Sequence, residues 1–247
     1  MTILCYHAVD PDWRSPMSVH PADFAKQAAW LAKHRRVLPL AAAVDRLDRS
    51  GRLPPGTAVM TFDDGFTSVL EHALPVLQRH RLPATVFLVA ETLTPAGRAV
   101  DWVRTPPPFP LRTLSRDQVL WMRDAGVDFE SHSWAHHDLP DLDPSACERD
   151  LRDSRELLED LLGGPVTALA YPRGLHDHLV RAAAARAGYA VAVALPEHAE
   201  QPGPYAVPRV GVYGGNGLRT LRLKSARSYL PLRHRVLHAL RRRSSPP

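Results

Sequence analysis

Short apolar segments alternate with longer helix-like segments along most of this 247-residue chain, and this alternation limits the folds it can adopt. Apolar or β-branched runs typical of strands cover residues 3–6, 37–40, 59–62, 85–89, 127–130, 168–171, 190–193 and 206–210. Helical patterns cover residues 21–34, 41–50, 116–125, 144–162 and 176–187. Such alternation is the pattern of βαβ units around a parallel sheet. The sequence therefore predicts an α/β fold, a distorted (β/α) barrel of seven to eight parallel strands, with a doubly wound open sheet as the alternative.

A proline-rich segment interrupts the alternation. Residues 94–113 contain five prolines and show no helical or strand periodicity. Long irregular loops in compact domains usually act as lids or binding loops. We therefore expect this segment to cover part of a binding site.

Positive charge is concentrated at the C-terminal end of the chain. The formal net charge is +5, and residues 219–247 contain nine Lys or Arg and no Asp or Glu. The 218 residues before them carry a net charge of −4, so a nucleic-acid partner is not expected. We predict a catalytic domain over residues 1–218 and a basic helical tail over residues 219–247. The tail could contact an anionic membrane surface or remain a solvated helix.

Cysteines and long apolar runs are scarce. Cys5 and Cys147 are too few for a disulfide framework or an all-cysteine metal site. The first residues lack the basic leader and apolar stretch of a signal peptide, and no later run approaches the roughly 18 apolar residues of a membrane span. We therefore expect a cytoplasmic protein, peripheral to the inner membrane face if the tail binds there. The sequence leaves the oligomeric state open.

Two adjacent carboxylates, Asp63 and Asp64, follow the strand predicted over residues 59–62 and precede Gly65. Because Asp-Gly is a common turn pair, a purely structural turn is one interpretation. Adjacent carboxylates repel each other, however, unless a positive charge lies near them. A metal ion would remove the repulsion, with one carboxylate binding it while the other acts as a general base toward water.

Three histidines, His132, His136 and His137, follow the strand predicted over residues 127–130. His132 and His136 are four residues apart, a spacing that lets two imidazoles bind one ion from the same side of a helical turn. The pattern differs from the zinc-protease motif because Ser133 takes the place of its glutamate. The pair is therefore a candidate metal-binding site.

Two further predicted strands end in polar groups. Tyr171-Pro172-Arg173-Gly174 closes the strand over residues 168–171, and His7 follows the strand over residues 3–6. In a parallel barrel the carboxyl ends of all strands share one face, where barrel enzymes have their active sites. Together the four segments indicate a catalytic metal site with a carboxylate base and a histidine acid.

At these positions the chain resembles the polysaccharide deacetylases of carbohydrate esterase family 4, which contain the NodB homology domain. The similarity is carried by Thr61-Phe62-Asp63-Asp64-Gly65, by His132, Ser133, His136 and Leu139, and by Tyr171, Pro172 and Gly174. The motifs occur in the family's order over residues 3–212. The resemblance implies a NodB-like barrel and a hydrolase that removes N-acetyl groups from an amino-sugar glycan, which would be a polysaccharide, an oligosaccharide or a lipid-linked precursor.

The resemblance also implies roles for the matching residues at the metal site. Asp63 would be the general base, and Asp64, His132 and His136 would hold a divalent ion. The family usually uses zinc, although other transition metals occur. A branch of the family has a spacing of five between its histidines, so His137 is an alternative to His136.

Other residues are implied to contact the substrate or the base. Tyr171, Pro172 and Arg173 would contact the glycan, with a backbone amide around Tyr171 stabilising the oxyanion. Arg209 is the candidate for orienting Asp63, although a salt bridge at the barrel edge would explain it equally well. Asp101-Trp102 in the proline-rich loop faintly resembles another family motif and could contact the substrate.

The histidine that protonates the departing amine has two candidates. Most of the family carries it in a Leu-x-His motif near the C-terminus, which Leu232-Arg233-His234 resembles. A permuted branch, which includes poly-N-acetylglucosamine deacetylases, begins instead with a Tyr-His strand resembling Tyr6-His7. Because His234 lies among arginines beyond the last predicted strand, we assign the acid to His7.

Other functions are compatible with the same residues. Two histidines and one carboxylate also form the facial triad of non-haem iron oxygenases, an interpretation that leaves Asp63 without a task. A catalytically silent carbohydrate-binding or scaffold protein of this fold is a second alternative. A membrane-surface or nucleic-acid module acting through the basic tail is a third.

Overall fold

The structure is a computed structural model that describes residues 2–50, 55–95, 97–195, 203–226, 228–233 and 235, the side chains of residues 47–50 excepted. Its strands are β1 (Thr2–Tyr6), β2 (Ala8–Val9), β3 (Ser18–Val19), β4 (Arg36–Val37), β5 (Thr57–Phe62), β6 (Thr85–Leu88), β7 (Asp128–Ser131), β8 (Ala168–Ala170), β9 (Val191–Ala194) and β10 (Val207–Gly211). Its α-helices are α1 (Pro21–His34), α2 (Leu40–Ser50), α3 (Leu74–His80), α4 (Arg116–Asp124), α5 (Pro144–Leu162), α6 (His178–Arg186) and α7 (Leu218–Lys224).

Seven parallel strands close into a barrel in the order β1, β10, β9, β8, β7, β6, β5, with β5 pairing back to β1. β1 pairs along nearly the whole of β5, so β4 and β6 share the other edge of that strand. β4 pairs with the first residues of β5, and β6 pairs with the last residues of β5. The predicted (β/α) barrel is confirmed, and the closed sheet excludes the open-sheet alternative.

Alternate residues of the barrel strands face two different cores. Ile3, Val59 and Phe87 belong to a buried cluster inside the barrel, which Leu40 and Ala43 of α2 join. The next residue along each strand, such as Leu4 after Ile3 and Met60 after Val59, packs instead in the larger core between the strands and the helices. Because side-chain direction has a period of two along a strand, every second residue beyond Ile3 and Val59 also faces inward. This rule brings polar residues at the strand ends into the mouth of the barrel.

The helix predictions agree with the structure where the capping signals are strong. α1 and α5 have the predicted bounds, and both begin with proline at the first turn. α4 begins with a capping box in which Ser115 and Gln118 bond reciprocally. α3, a seven-residue helix that continues from a π-helical turn at Val69–Ala73, was not predicted from the sequence. A segment this short has too few turns for a clear hydrophobic period.

The proline-rich segment folds across the mouth of the barrel. Phe66 and Leu111 pack in a small apolar cluster with Trp13, which lies after β2. The indole N–H of Trp13 donates to the carbonyl of Thr105 at 3.0 Å. Backbone bridges also join Phe66 to Thr113 and Ala99 to Arg112. The segment therefore packs against the end of the barrel that carries the polar strand ends.

The first part of the predicted tail packs on the barrel. α7 contacts α1, and Leu221 in its middle is fully buried. Residues 236–247 lie outside the described residues, so the predicted division at residue 218 stays a prediction. Among the helices that the structure describes, none has the length and apolar character needed to cross a bilayer.

Candidate active site

A cavity of about 320 Å³ opens at the carboxyl end of the barrel strands. The strand ends predicted to converge do so here, because the lining includes residues that follow β1, β5 and β7 and the turn after β8. Its titratable residues from these segments are His7, Asp63, Asp64, His132, His136 and Arg173. Parallel barrels place their catalytic groups at this end.

Asp63 forms a bidentate ion pair with Arg209. Nη1 of Arg209 lies 2.6 Å from Oδ1 and Nη2 lies 2.7 Å from Oδ2, and both side chains are buried. Arg209 lies two residues beyond Val207, which faces the barrel interior, so the strand periodicity aims its side chain inward. Burial alone would raise the pKa of Asp63, but the charge and hydrogen bonds of Arg209, with the neighbouring histidines, hold it well below the ordinary range. Asp63 is therefore ionised at neutral pH.

Asp64, His132 and His136 form a buried group suited to a metal ion. One ligand atom from each lies within 4.8 Å of the others. Oδ1 of Asp64 is 3.3 Å from Nε2 of His136 and 3.7 Å from Nε2 of His132. Two imidazoles and one carboxylate leave coordination positions open, as in catalytic zinc sites. The donor types and their convergence fit a divalent ion.

The hydrogen bond of His132 supports the same conclusion. Its Nδ1 lies 2.8 Å from the carbonyl oxygen of Ala170 in β8. A carbonyl only accepts, so Nδ1 carries the proton and the lone pair of Nε2 points toward Asp64. Metal-binding histidines are commonly oriented by such a bond on their second nitrogen.

The pKa shifts of Asp64, His132 and His136 also favour a cation at this position. Burial and the adjacent charge of Asp63 raise the pKa of Asp64 to about 7. Burial lowers the pKa of His132, and burial with the neighbouring His132 lowers that of His136 far below its ordinary value. Both imidazoles are therefore neutral at pH 7 and cannot supply the positive charge that would stabilise ionised Asp64. A divalent ion would supply it.

His7 and Cys5 reach Asp63 from β1. One ligand atom from each of these three residues lies within 4.8 Å of the others. The thiol of Cys5 donates to Oδ2 of Asp63 at 3.3 Å. His7 is buried and its Nδ1 has no hydrogen-bond partner among the described residues. Burial lowers the pKa of His7 to about 4, although the charge of Asp63 opposes this shift.

Trp102 enters the site from the proline-rich segment. Its indole N–H donates to Oδ1 of Asp64 at 3.1 Å, and its ring stacks on that of His136 with centroids 4.9 Å apart. Its carbonyl accepts from Nη2 of Arg173, whose Nε pairs with Asp138 at 2.7 Å. Asp101 and Trp102 were predicted as possible substrate contacts, and of the two only Trp102 lines the cavity.

The backbone around the site adopts unusual conformations. Asp64, Ser133, His136 and Arg173 have φ values of 69°, 70°, 57° and 55°. Non-glycine residues rarely adopt this left-handed region, and such residues cluster at functional sites. Four of the five described non-glycine residues with positive φ lie in the segments that follow β5, β7 and β8.

The third motif is oriented differently from the expectation that centred on Tyr171. The Tyr171 hydroxyl donates to the carbonyl of Tyr205 at 3.0 Å, and its N–H donates to Val193 at 3.3 Å. Tyr171 and Pro172 are buried outside the cavity, whereas Arg173 and Gly174 line it. Because the N–H of Tyr171 already has an acceptor, the residues of this turn that are placed to contact a substrate are Arg173 and Gly174.

His137 and His234 were the alternative candidates for the second histidine ligand and for the acid. The His137 side chain is 58% exposed and lies 3.7 Å from Asp150, so His136 rather than His137 is at Asp64. His234 lies outside the described residues. Cys5 lies beside the base and Tyr213 lines the cavity, and neither was predicted from the sequence. Cys5 could have been found, because it lies two residues before His7 and therefore shares its face of β1.

Comparison with known proteins adds a family. A sequence model of the family described as polysaccharide deacetylase matches residues 50–192. The chain is 27% identical over 204 residues to a poly-beta-1,6-N-acetyl-D-glucosamine N-deacetylase of Staphylococcus epidermidis, covering 78% of this chain and 67% of that protein. It is 25% identical over 219 residues to YxkH of Bacillus subtilis, covering 87% of this chain and 72% of that protein.

Solved structures show the same fold. The Streptococcus pyogenes deacetylase PplD in complex with acetate superposes with a TM-score of 0.77 at 24% identity, covering 92% of this chain and 98% of that one. IcaB from Ammonifex degensii superposes with a TM-score of 0.74 at 24% identity, covering 91% and 97%. At this level of identity the likeness concerns the barrel and its connections.

Proposed function

The chain belongs to the polysaccharide deacetylase family, and from this premise we propose that it hydrolyses the N-acetyl group of an amino-sugar glycan with the help of a divalent metal ion. The observation that carries the proposal is the pairing of two differently tuned carboxylates in one cavity. Asp63 is held ionised by Arg209, while Asp64 lies with two neutral histidines. Adjacent carboxylates in different environments can take different roles in one reaction.

Asp64, His132 and His136 would hold the ion, with zinc as the simplest choice for two imidazoles and a carboxylate. When bound, a divalent ion polarises a carbonyl oxygen and makes a water molecule more acidic. Trp102 contacts Asp64 and His136 from the cavity side and keeps both ligands in position. We expect the indole to act as outer support for the ligand set.

Asp63 would act as the general base. Its carboxylate is ionised, buried and fixed in orientation by Arg209, so it can accept the proton of a water that attacks the acetamide carbon. Arg209 does not compete for this proton because a guanidinium remains charged at all relevant pH values. The thiol of Cys5 limits rotation of the same carboxylate by donating to Oδ2.

His7 would deliver a proton to the departing nitrogen. Burial leaves His7 neutral at pH 7, so it can take up a proton. One ring nitrogen of His7 lies within 4.8 Å of an oxygen of Asp63, so a proton that Asp63 takes from water can move to His7, which passes it to the amine as the carbon–nitrogen bond breaks. The products are acetate and a free amino sugar, and both residues return to their starting states.

The backbone N–H of Arg173 would stabilise the oxyanion that forms on the acetyl oxygen. Its left-handed conformation places it in the tight turn after β8, at the cavity wall. An oriented amide in a water-poor site stabilises developing negative charge more strongly than water does. The glycan itself would lie along the wall formed by Trp102, Arg173 and Tyr213.

The test is acetate release by the purified protein from oligomers of β-1,6-linked N-acetylglucosamine, the sugar named for the staphylococcal relative. Metal content is measured on the same sample, with a chelated sample and a zinc-restored sample as controls. We expect release that chelation abolishes and zinc restores. Bound metal without release from any acylated amino sugar would contradict the deacetylase, and release that survives complete metal removal would contradict the role of the ion.

We also propose that the basic tail contacts anionic membrane surfaces. Leu223 and Leu232 are 61% and 57% exposed and lie among Arg and Lys residues, a combination found on interfacial helices. Cosedimentation with vesicles containing anionic lipid at low salt tests this contact. Equal recovery with neutral and anionic vesicles would contradict it.

A further inference from the structure

A second cavity of about 160 Å³ adjoins the catalytic one and is lined by cations. Arg173, Leu195 and Tyr213 form the wall shared by the two cavities. Lys224 of α7 and Arg233 beyond it line the far side. No Asp or Glu is among the described residues that line this cavity. Arg209 also lines the cavity, but Asp63 balances its charge, so the remaining cations of the lining are Arg173, Lys224 and Arg233.

Lys224 is the clearest sign that this cavity accepts an anion. Its ammonium is half-buried and donates to the carbonyl of Gly211 and to Oδ1 of Asn216, each at 2.7 Å. It also lies 4.8 Å from the centre of the Tyr213 ring. All these partners are neutral. A half-buried ammonium without a carboxylate partner loses part of its hydration, and an anionic ligand would offset that loss.

Arg233 strengthens the positive field at the same point. Burial and the charge of Arg233 both lower the pKa of Lys224, so the two cations lie close enough to repel each other. An anion bound beside Lys224 would reduce this repulsion. Arg173 adds a third guanidinium at the shared wall, where Asp138 balances it in part.

We propose that this cavity binds a phosphoryl group carried by the glycan substrate. The inference rests on the proposed deacetylase function and narrows its substrate class. Guanidinium groups bind phosphate oxygens in pairs, and an ammonium adds a point charge. Two or three cations around one small cavity match the charge of a phosphate monoester or diester better than that of a single carboxylate.

The shared wall also sets where the phosphoryl group lies on the substrate. Because Arg173 lines both cavities, a sugar whose acetamide occupies the catalytic cavity presents its phosphoryl group on the same or the neighbouring residue. Two sources have this chemistry: a phosphodiester within a glycan polymer, and a sugar joined through phosphate to a lipid.

The experiment compares three substrates that carry the same N-acetylated sugar: a neutral oligomer, an oligomer with a phosphodiester, and a lipid-phosphate-linked sugar. We expect kcat/KM to be at least tenfold higher for one phosphorylated substrate than for the neutral oligomer, and the better of the two identifies the source. Equal values for all three would overturn the inference while leaving the deacetylase intact. A preference for an oligomer with a uronic acid carboxylate over both phosphorylated substrates would also overturn it.

Variants test the assignment to this cavity. Lys224→Gln and Arg233→Gln are each expected to lower the ratio of kcat/KM for phosphorylated to neutral substrate at least tenfold. Arg222→Gln is the matched control, because Arg222 lies in the same helix but faces the Trp30 ring, 5.6 Å from its centre. General damage to the fold lowers both rates and leaves the ratio unchanged, and an unchanged ratio in both variants would overturn the assignment.

A binding measurement separates this inference from the proposed function. Inorganic phosphate is titrated calorimetrically into the chelated protein at low ionic strength, which requires no turnover. We expect binding that weakens at least tenfold in Lys224→Gln and Arg233→Gln but not in Arg222→Gln. Phosphate binding with this pattern and no hydrolysis of any substrate would contradict the deacetylase alone, and absence of binding would contradict the phosphoryl site.

Discussion

Arg209 and Asp63 form two parallel hydrogen bonds, 2.6 and 2.7 Å long, beside the catalytic cavity that Asp63 lines. The pair is fully desolvated, and it joins β10 to the end of β5 across the inside of the barrel. A buried charge that loses its partner is strongly destabilised. The geometry therefore fixes the orientation of the base and its ionisation together.

Arg209→Lys keeps the positive charge but loses the two parallel bonds. We expect the pKa of Asp63 to rise toward its ordinary value, because the hydrogen bonds of Arg209 help to hold it low. The acidic limb of the kcat/KM profile should therefore move to higher pH, with a loss of about 100-fold at neutral pH. Arg186→Lys is the control, since Arg186 forms a 2.7 Å pair with Glu148 at the surface. A loss without a shift of the acidic limb would contradict the orienting role.

Several residues of this site were predictable because each directly follows a strand. Asp63 and Asp64 follow β5, His132 follows β7 and His7 follows β1, and the mouth of a parallel barrel brings such positions together. Local sequence also indicates that Arg209 faces inward, because it lies two residues after the inward-facing Val207 in the same strand.

Other parts depended on packing that the sequence does not display. Trp102 reaches Asp64 because an apolar cluster around Trp13 and Phe66 holds the proline-rich segment over the barrel. Tyr171 points away from the cavity because its hydroxyl has a partner in Tyr205, 34 residues later in the chain. Contacts of this kind depend on which loops meet, and no local pattern encodes them.

Asp63→Asn and His132→Ala should separate the base from the metal site. Asp63→Asn is expected to reduce kcat by about 100- to 10,000-fold while leaving near-stoichiometric metal. His132→Ala should lose metal and activity together, since it removes one of three ligands. Metal analysis and acetate release on the same samples provide the measurement. His137→Ala, at an exposed position, serves as the control and should change neither quantity. Metal loss in Asp63→Asn would move that residue into the ligand set.

Trp102→Phe should weaken metal binding without removing a ligand. The substitution deletes the hydrogen bond to Oδ1 of Asp64 and keeps an aromatic ring against His136. That bond lowers the pKa of Asp64, so its loss favours the protonated carboxyl, which cannot bind the ion. We expect affinity to fall about tenfold, with a larger fall at pH 6 than at pH 8, measured by chelator competition. Trp121→Phe, 57% exposed in α4, is the control. A pH-independent loss would point to packing instead.

Glu130 provides a pH dependence of stability that is separate from the chemistry. Its carboxylate in β7 accepts from the backbone N–H groups of Thr167 and Ala168 at 2.9 and 2.8 Å. Burial nevertheless raises its pKa to about 7, above the ordinary value of about 4.3 in an unfolded chain. Between these values the folded state binds more protons than the unfolded state, so the stability contributed by Glu130 falls as pH rises.

Glu130→Gln removes this titration and preserves the contacts. An amide oxygen can accept from both N–H groups, and its NH₂ can donate to the hydroxyl of Thr167, which lies 3.3 Å from Oε1. We expect Tm values of variant and parent to be similar at pH 5 and the variant to be several degrees more stable at pH 8. Because all other groups titrate in both proteins, the difference isolates Glu130. The exposed Glu156→Gln should show no such change between the two pH values. A variant that is less stable at pH 8 than at pH 5, relative to its parent, would show that ionised Glu130 stabilises the barrel through its hydrogen bonds.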